Sequence, residues 1–274
     1  MSDTRDSRPG PAAAPFGEHL RQWRQRRRMS QLDLSAEADI STRHLSFVET
    51  GRSLPSREMV LRLFERLDVP LRERNTMLMA AGYAPMYRER ALDDPALAAA
   101  RQAVERVLKA HEPFPALAVD RHWNLVAANR VVDHLLAGVD AALLAPPVNV
   151  LRLSLHPQGL APRIANLGQW RAHIFERLRQ QVRATADAVL AALLDELQRY
   201  PGPASGSDVA LDGELLGVVV PFRLATPLGV MNFISTTTVF GSPVDVTLQE
   251  LAVESFYPAD DGTAQALRSL VDTL

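Results

Sequence analysis

The sequence lacks several features that would indicate a secreted, membrane or disulfide-bonded protein. Its 274 residues include no cysteine, which excludes disulfides, cysteine-based zinc sites, iron–sulfur clusters and thiol nucleophiles. The longest apolar run, from Leu215 to Phe222, is about eight residues, whereas a membrane-spanning helix needs about 20. Residues 1–15 have no apolar stretch typical of a secretory signal. We therefore expect a protein of the reducing cytoplasm with no membrane partner.

The common catalytic signatures are also missing. There is no G-x-G-x-x-G, P-loop, H-E-x-x-H or G-x-S-x-G motif, and the seven histidines never pair at metal-ligand spacing. We expect no enzyme, no catalytic residue, no metal and no cofactor. Two alternatives stay open: self-cleavage with Lys109, the single lysine, as the base, and haem sensing through His122 or His173.

Charge is unevenly distributed along a chain whose composition, 47% hydrophobic and 23% charged, is that of a globular protein. Residues 1–90 carry a net charge of +4 and the remaining residues −6. This difference suggests a basic module joined to an acidic one. Four arginines fall between Trp23 and Arg28, and they belong either to that basic module or simply to a solvated helix end.

The hydrophobic pattern divides the chain into two domains. Residues 1–15 resemble a disordered tail, 84–93 a linker, and residues 94–272 a second domain. Residues 16–83 predict five short helices, with Ser30 and Ser56 as caps and Gly51 and Gly82 as C-terminal residues. Four of these helices are predicted at 16–27, 30–38, 41–50 and 71–81, and the remaining one starts at residue 56.

The second domain mixes helical and β-type patterns. We predict a helix over 94–110 with Leu97, Val104, Val107 and Leu108 on one side, then a hairpin with strands at 116–120 and 124–129. Helical spacing continues over 130–137, 170–182 and 190–197, before a loop at 201–208. Three β-type runs, rich in Val, Ile, Phe and Thr, follow at 215–226, 229–241 and 244–248.

The segment from Gln31 to Gly51 has the pattern of two helices crossing through a tight turn. Such a pair needs small and apolar residues at the points of contact, and the sequence supplies Leu34, Ser35, Ala38, Ile40, Leu45 and Val48. Asp39 stands at the turn position where glycine is usual, and Asp tolerates the left-handed conformation less easily.

On these residues, 16–82 resemble the five-helix, helix-turn-helix DNA-binding domain of the lambda-repressor-like, xenobiotic-response-element family. Residues 92–270 resemble the MmyB-like ligand-binding domain, through PALAVDRHWNLVAANR, APPVNVLRLSLHP, LAPRIANLGQWRAH and TTTVFGSPVDVTLQELAVESFYPAD. The resemblance implies an α+β protein, in which an all-α helix-turn-helix domain precedes a PAS-like domain with an antiparallel sheet and flanking helices. It also implies a bacterial transcription regulator.

In this motif the third helix enters the major groove of duplex DNA. We expect Arg43 to contact a guanine, Thr42 a base or phosphate, and Phe47 a thymine methyl or sugar, unless Phe47 packs between helices. The resemblance makes Gln31 a phosphate clamp, although it is also a good helix-start residue. The predicted DNA-contacting residues are Gln31, Thr42, Arg43, His44, Phe47, Arg52, Ser56 and Arg57.

The PAS-like domain is expected to hold a ligand between its sheet and helices. Aromatic and apolar residues are candidates for the lining, although an ordinary core position explains each aromatic residue more simply, and three polar residues are candidate anchors. The predicted ligand-binding residues are Trp123, Phe175, Trp170, Phe222, Met231 and Phe233, with Arg163, His173 and Asn129 as anchors. Because Arg163 lies near the aromatic segment, we expect a carboxylated or oxygenated apolar molecule, either a small-molecule or a lipid-like effector.

We expect a homodimer on a pseudo-palindromic operator, since one such domain buries too little surface for selective binding. The helix at 94–110 and the C-terminal domain are the expected dimer contacts. In the alternative reading the C-terminal domain only dimerises or binds a protein partner, without any small-molecule ligand.

Overall fold

The computed structural model describes residues 15–91, 94–202, 220–239 and 245–272, and these residues form two compact units. The units comprise residues 1–89 and 90–274. Several predicted segments lie wholly or partly outside the described residues. They are residues 1–14 of the tail, 92–93 of the linker, 203–208 of the loop, 215–219 and 240–241 of two β-type runs, and residue 244 of the third. The α+β class with an N-terminal helical domain is confirmed.

The N-terminal unit consists of five α-helices around one apolar core, as the sequence predicts. The largest fully buried side chains of this core include Trp23, Leu34, Leu45 and Phe64. The helices are α1 (Phe16–Arg26), α2 (Gln31–Glu37), α3 (Thr42–Glu49), α4 (Arg57–Arg66) and α5 (Leu71–Ala80).

Serine caps mark the start of three of these helices. The Ser30 hydroxyl accepts a hydrogen bond from the Asp33 backbone N–H, and the Asp33 carboxylate accepts one from the Ser30 backbone N–H, which completes the predicted capping box. The Ser41 and Ser56 hydroxyls accept from the backbone N–H groups of His44 and Met59 and so cap α3 and α4. Each of these caps involves residues three apart, so the sequence alone reveals them.

Residues of the predicted linker pack onto the units rather than lying free. In the N-terminal unit the Asn75 amide accepts from the Met86 and Tyr87 backbone N–H groups, both at 3.0 Å, and Arg72 pairs with Glu89. In the C-terminal unit the Thr247 hydroxyl donates to the Arg90 carbonyl at 2.6 Å.

The C-terminal unit contains a five-stranded sheet of order β2–β1–β5–β4–β3, in which every paired neighbour is antiparallel. Its strands are β1 (Ala116–Val119), β2 (Leu125–Ala128), β3 (Phe222–Thr226), β4 (Gly229–Val239) and β5 (Ala252–Pro258). Its α-helices are α6 (Ala98–Ala110), α7 (Arg130–Leu135), α8 (Val150–Leu155), α9 (Leu167–Thr185), α10 (Ala188–Gln198), α11 (Val246–Gln249) and α12 (Asp261–Asp272).

Both faces of the sheet are covered. Ala116 and Ala118 on β1 and Val253 on β5 pack with Val104 and Leu108 of α6. Side chains on the other face of the sheet pack into the larger core, together with residues of α7, α8, α9 and α10. Because side chains alternate along a strand, β5 directs Glu254 and Phe256 toward this second face, where they line a cavity.

Two sequence predictions for this unit are wrong, and one strand was missed. Val107 is 48% exposed instead of sharing the buried side of α6. The predicted run at 244–248 is not a strand where the structure describes it: residues from Val246 onward form the short helix α11, which the Asp245 side chain caps through the Thr247 backbone N–H. The strand β5 was not predicted at all.

Among the described residues, no helix has both the length and the apolar character needed to cross a lipid bilayer.

Candidate functional sites: a nucleic-acid interface and a ligand cavity

The turn between α2 and α3 adopts the conformation that its sequence predicts. Asp39 lies in the left-handed region at φ +52°, which Asp reaches more easily than most residues. Ser35 is 3% exposed at the contact of the two helices. Leu45 and Val48 direct α3 into the core, so the other side of α3 is left for solvent.

A buried ion pair holds α3 against α1. The Arg24 guanidinium donates to both carboxylate oxygens of Glu49, at 2.6 and 2.9 Å, and the Glu49 side chain is only 3% exposed. Gln31 donates one amide N–H to the same carboxylate at 2.8 Å. The second N–H of this amide remains to donate to a phosphate, so the geometry is compatible with a clamping role for Gln31.

The backbones of α1 and α3 approach closely near Gly17. A Cβ at this position would lie 2.4 Å from the Val48 carbonyl oxygen and 2.6 Å from that of Glu49. Glycine is therefore required where α1 passes the C-terminal end of α3. The ion pair and this contact together fix the direction of α3.

The solvent side of α3 carries the predicted base-contacting residues. Arg43 is exposed, while His44 and Phe47 are half-buried. The Arg43 guanidinium lies over the Phe47 ring, 5.4 Å from its centroid, an attractive cation–π arrangement. The half-buried position of Phe47 fits both interpretations of this residue, because part of its ring packs and part remains accessible.

Thr42 has less freedom than the sequence suggests. The Ser35 hydroxyl donates to the Leu32 carbonyl at 2.9 Å, and the Ser35 and Thr42 oxygens are 2.9 Å apart. Since Ser35 has only one proton, Thr42 is the donor to Ser35. While this hydrogen bond is kept, Thr42 has no proton to donate to a phosphate, but it can still accept from a base amine.

The residues beyond α3 are exposed as well. Arg52 follows Gly51 and is exposed, and Ser56 and Arg57 are exposed at the start of α4. The Ser56 hydroxyl is used by the α4 cap, and Arg57 donates to the sulfur of Met86 at 3.2 Å. Among these three residues, Arg52 is the side chain most available to a phosphate.

The arginines between Trp23 and Arg28 do not act as one patch. Arg24 is buried on Glu49, and Arg27 donates to the carbonyls of Leu67 and Asp68, both at 2.7 Å. Arg26 and Arg28 are exposed. Half of this cluster therefore stabilises the unit, and only the other half contributes free positive charge.

The C-terminal unit contains a partly open cavity of about 110 Å³ between its sheet and helices. All but four of the side chains that line it are apolar or aromatic, the exceptions being Ser154, His173, Arg177 and Glu254. Five predicted ligand-binding residues line this cavity: Trp123, Trp170, His173, Phe222 and Phe233.

Four other predicted ligand-binding residues lie elsewhere. The buried Asn129 amide accepts from the Ala116 backbone N–H and donates to the carbonyls of Leu108 and Phe114. Arg163 donates to three carbonyls, those of Leu135, Ala137 and Ala225. Phe175 lies beneath Arg171, and Met231 is buried in the core. The polar atoms of Asn129 and Arg163 are thus committed to backbone groups, which corrects their expected role as anchors here.

Two charged residues of the cavity wall were not predicted from the sequence. Arg177 lies seven residues after Trp170 and four after His173, hence on the same face of α9. This spacing was a usable signal. Glu254 could not be found in the same way, because its strand was not recognised. Burial, followed by the nearby positive charge of Arg177, lowers the pKa of His173, so its imidazole is neutral at pH 7.

His122 and Lys109 were considered above for haem sensing and self-cleavage, and the structure shows the surroundings of both. His122 lies 2.9 Å from the Asp187 carboxylate, and Asp187 caps α10. Lys109 is exposed on α6. Within the described ranges no group of three or more His, Cys, Asp or Glu side chains is arranged to hold a metal ion.

Comparison with known families gives two matches that together cover most of the chain. Residues 15–77 match a family described as a helix-turn-helix domain. Residues 100–270 match the family described as the MmyB-like transcription regulator ligand binding domain. The two matched ranges correspond to the helical unit and to the unit with the cavity.

Comparison with individual proteins adds little. No curated protein shows a significant sequence match. The crystal structure of the clp gene regulator ClgR from Corynebacterium glutamicum is 24% identical, and the match covers 38% of this chain and 99% of that one. Its TM-score of 0.23 establishes no common overall fold.

Proposed function

The chain belongs to the transcription regulators with an MmyB-like ligand-binding domain, and we propose that α3 reads duplex DNA in the major groove while the cavity holds an apolar effector. One observation carries the DNA half. The first turn of α3 presents the exposed Arg43, while a buried ion pair and close backbone packing on α1 hold the rest of the helix in place. A rigid helix with an exposed N-terminal arginine matches the docking geometry of this motif.

Arg43 is the proposed base reader, because a guanidinium donates twice to guanine O6 and N7. Gln31 and Arg52, together with the α4 N-terminus at Ser56, are the proposed phosphate contacts. His44 and Phe47 extend the same surface. We place Arg57 at its edge, since its guanidinium already contacts Met86.

The effector half of the proposal rests on the cavity. Its walls are mainly apolar, and both indole N–H groups that line it are already bonded, Trp123 to Gln181 and Trp170 to Ser154, each at 2.9 Å. An apolar molecule would therefore leave no tryptophan donor unsatisfied. Such a molecule changes DNA affinity only if it binds the DNA-competent and DNA-incompetent forms differently.

The proposal is tested by titrating labelled duplex DNA with the full chain at low salt, without and with saturating toluene. We expect binding that weakens steeply as salt rises, since phosphate contacts release counterions, and an apparent Kd that changes when toluene is present. Absence of binding would contradict the DNA half. A Kd unaffected by toluene, although toluene binds, would favour a C-terminal domain that only dimerises or binds a protein partner.

A further inference from the structure

The cavity has one polar wall, and its charges are already balanced. The Arg177 guanidinium on α9 donates to both carboxylate oxygens of Glu254 on β5, at 3.2 and 2.7 Å. The Glu254 side chain is 5% exposed and that of Arg177 is 27% exposed. The Thr237 hydroxyl also donates to Glu254, at 2.8 Å. The positive charge that an anionic ligand would seek is therefore already neutralised.

An anion in this cavity would also face an unfavourable environment. Its charge would lose hydration among apolar walls, and the Glu254 carboxylate would repel it. The Arg177 guanidinium also lies over the Trp123 ring, 4.4 Å from its centroid, and donates to the Thr237 hydroxyl, so turning it away from Glu254 would disrupt these contacts as well. Neither the loss of charge hydration nor the repulsion by Glu254 opposes the binding of an uncharged ligand.

His173 supplies a neutral polar group on the same wall. Its ring stacks on Trp170 with centroids 5.5 Å apart. Among the described residues, no hydrogen bond involves its ring nitrogens. Because burial and Arg177 lower its pKa, the ring presents one N–H donor and one acceptor nitrogen at pH 7. A hydroxyl or carbonyl group of a ligand can pair with either.

We propose that the effector is a small uncharged molecule, apolar over most of its surface, with one hydroxyl or carbonyl group that hydrogen-bonds to His173. This inference rests on the proposed effector function of the cavity. The volume of about 110 Å³ limits the size of the ligand. A closed apolar cavity of about 150 Å³ holds benzene. This cavity is smaller but partly open, so a single six-membered ring is about the largest apolar part that it accepts, and a short substituent can extend toward the opening.

The test compares three probes of similar size and different polarity: toluene, benzyl alcohol and benzoate. Calorimetric titration of the full chain at pH 7 gives a Kd for each. We expect benzyl alcohol to bind at least ~10-fold more tightly than benzoate, because a like charge at the wall is costly. One extra hydrogen bond should favour benzyl alcohol over toluene by about fivefold.

Two substitutions separate the roles of the wall residues. Glu254→Gln keeps the shape of the side chain and leaves the charge of Arg177 unbalanced, so benzoate should gain at least ~10-fold relative to benzyl alcohol. His173→Phe keeps a ring but removes the donor, so the preference for benzyl alcohol over toluene should disappear. Glu176→Gln, on the exposed side of α9, is the matched control and should change neither ratio.

The outcomes distinguish this inference from the proposed function. If toluene binds and benzoate binds as tightly as benzyl alcohol or more tightly, the neutral-ligand inference is wrong while the effector cavity stands. If none of the three probes binds, the effector function fails and this inference fails with it. Should Glu254→Gln not fold, as judged by its circular dichroism, the wild-type ratio of benzyl alcohol to benzoate still decides.

Discussion

Arg43 and Arg52 are both exposed arginines of the N-terminal unit, but they occupy different positions relative to α3. Arg43 lies in the first turn of α3, with its guanidinium over Phe47. Arg52 lies beyond the C-terminal end of this helix, after the left-handed Gly51 at φ +72°. In the proposed complex the first contacts a base edge and the second contacts the phosphate backbone.

We predict that the two arginines differ in how their loss depends on DNA sequence. Arg43→Ala should weaken binding to the preferred site by about 1–3 kcal/mol and relax the preference at one base pair. Arg52→Ala should weaken binding to all sequences equally and reduce the salt slope by about one ion. Gel shifts over a set of singly substituted duplexes measure both, each variant serving as the control for the other. Equal losses on every duplex for Arg43→Ala would contradict base readout.

At the same scale, the sequence predicted aromatic residues of the cavity better than polar ones. Trp123, Trp170 and Phe222 line the cavity because large apolar side chains face the interior wherever their helix or strand is placed. Asn129 and Arg163 could not be assigned, since their partners are carbonyl groups of distant segments. A polar side chain shows its role only when its partners are known.

At the level of elements, α3 depends on α1 for its position. The Arg24–Glu49 pair joins the two helices across 25 residues of sequence, and Gly17 permits their close approach. Neither feature involves Arg43 or the exposed side of α3. In the proposed complex they act on recognition by fixing the direction of α3.

We predict that Arg24→Ala destabilises the protein strongly, because it leaves the buried Glu49 carboxylate without a positive charge to balance it. Removing one member of a buried pair costs about 3–5 kcal/mol. Arg21→Ala, an exposed arginine of the same helix, should change stability by no more than about 0.5 kcal/mol. Urea denaturation of the full chain, followed by circular dichroism, measures the free energy of unfolding. Similar midpoints for the two variants would show that the pair does not stabilise α3.

Element boundaries were predictable where capping is local and failed where pairing is distant. Ser30, Ser41 and Ser56 cap their helices through residues three positions away. The strand β5 was not predicted from the sequence because Glu254 and Ser255 interrupt its apolar pattern. Both are buried, and Glu254 is stabilised by Arg177, which lies 77 residues earlier.

At the scale of the molecule, two units with different tasks follow each other along the chain. The helices of the N-terminal unit were predictable because helical periodicity and helix caps are short-range signals in the sequence. The cavity was not, since α9, β3, β4 and β5 meet only in the folded unit. A single helix-turn-helix domain buries little DNA surface, so we propose that two copies bind together on a site with dyad symmetry.

Genome-wide footprinting of the purified full chain on fragmented genomic DNA tests whether α3 reads duplex DNA. We expect discrete protected sites with two inverted half-sites, about 34–36 Å or a multiple of that apart, and a relaxed half-site sequence when Arg43→Ala replaces the wild type. Protection without sequence preference, or no protection of duplex DNA even in dilute buffer, would contradict this expectation.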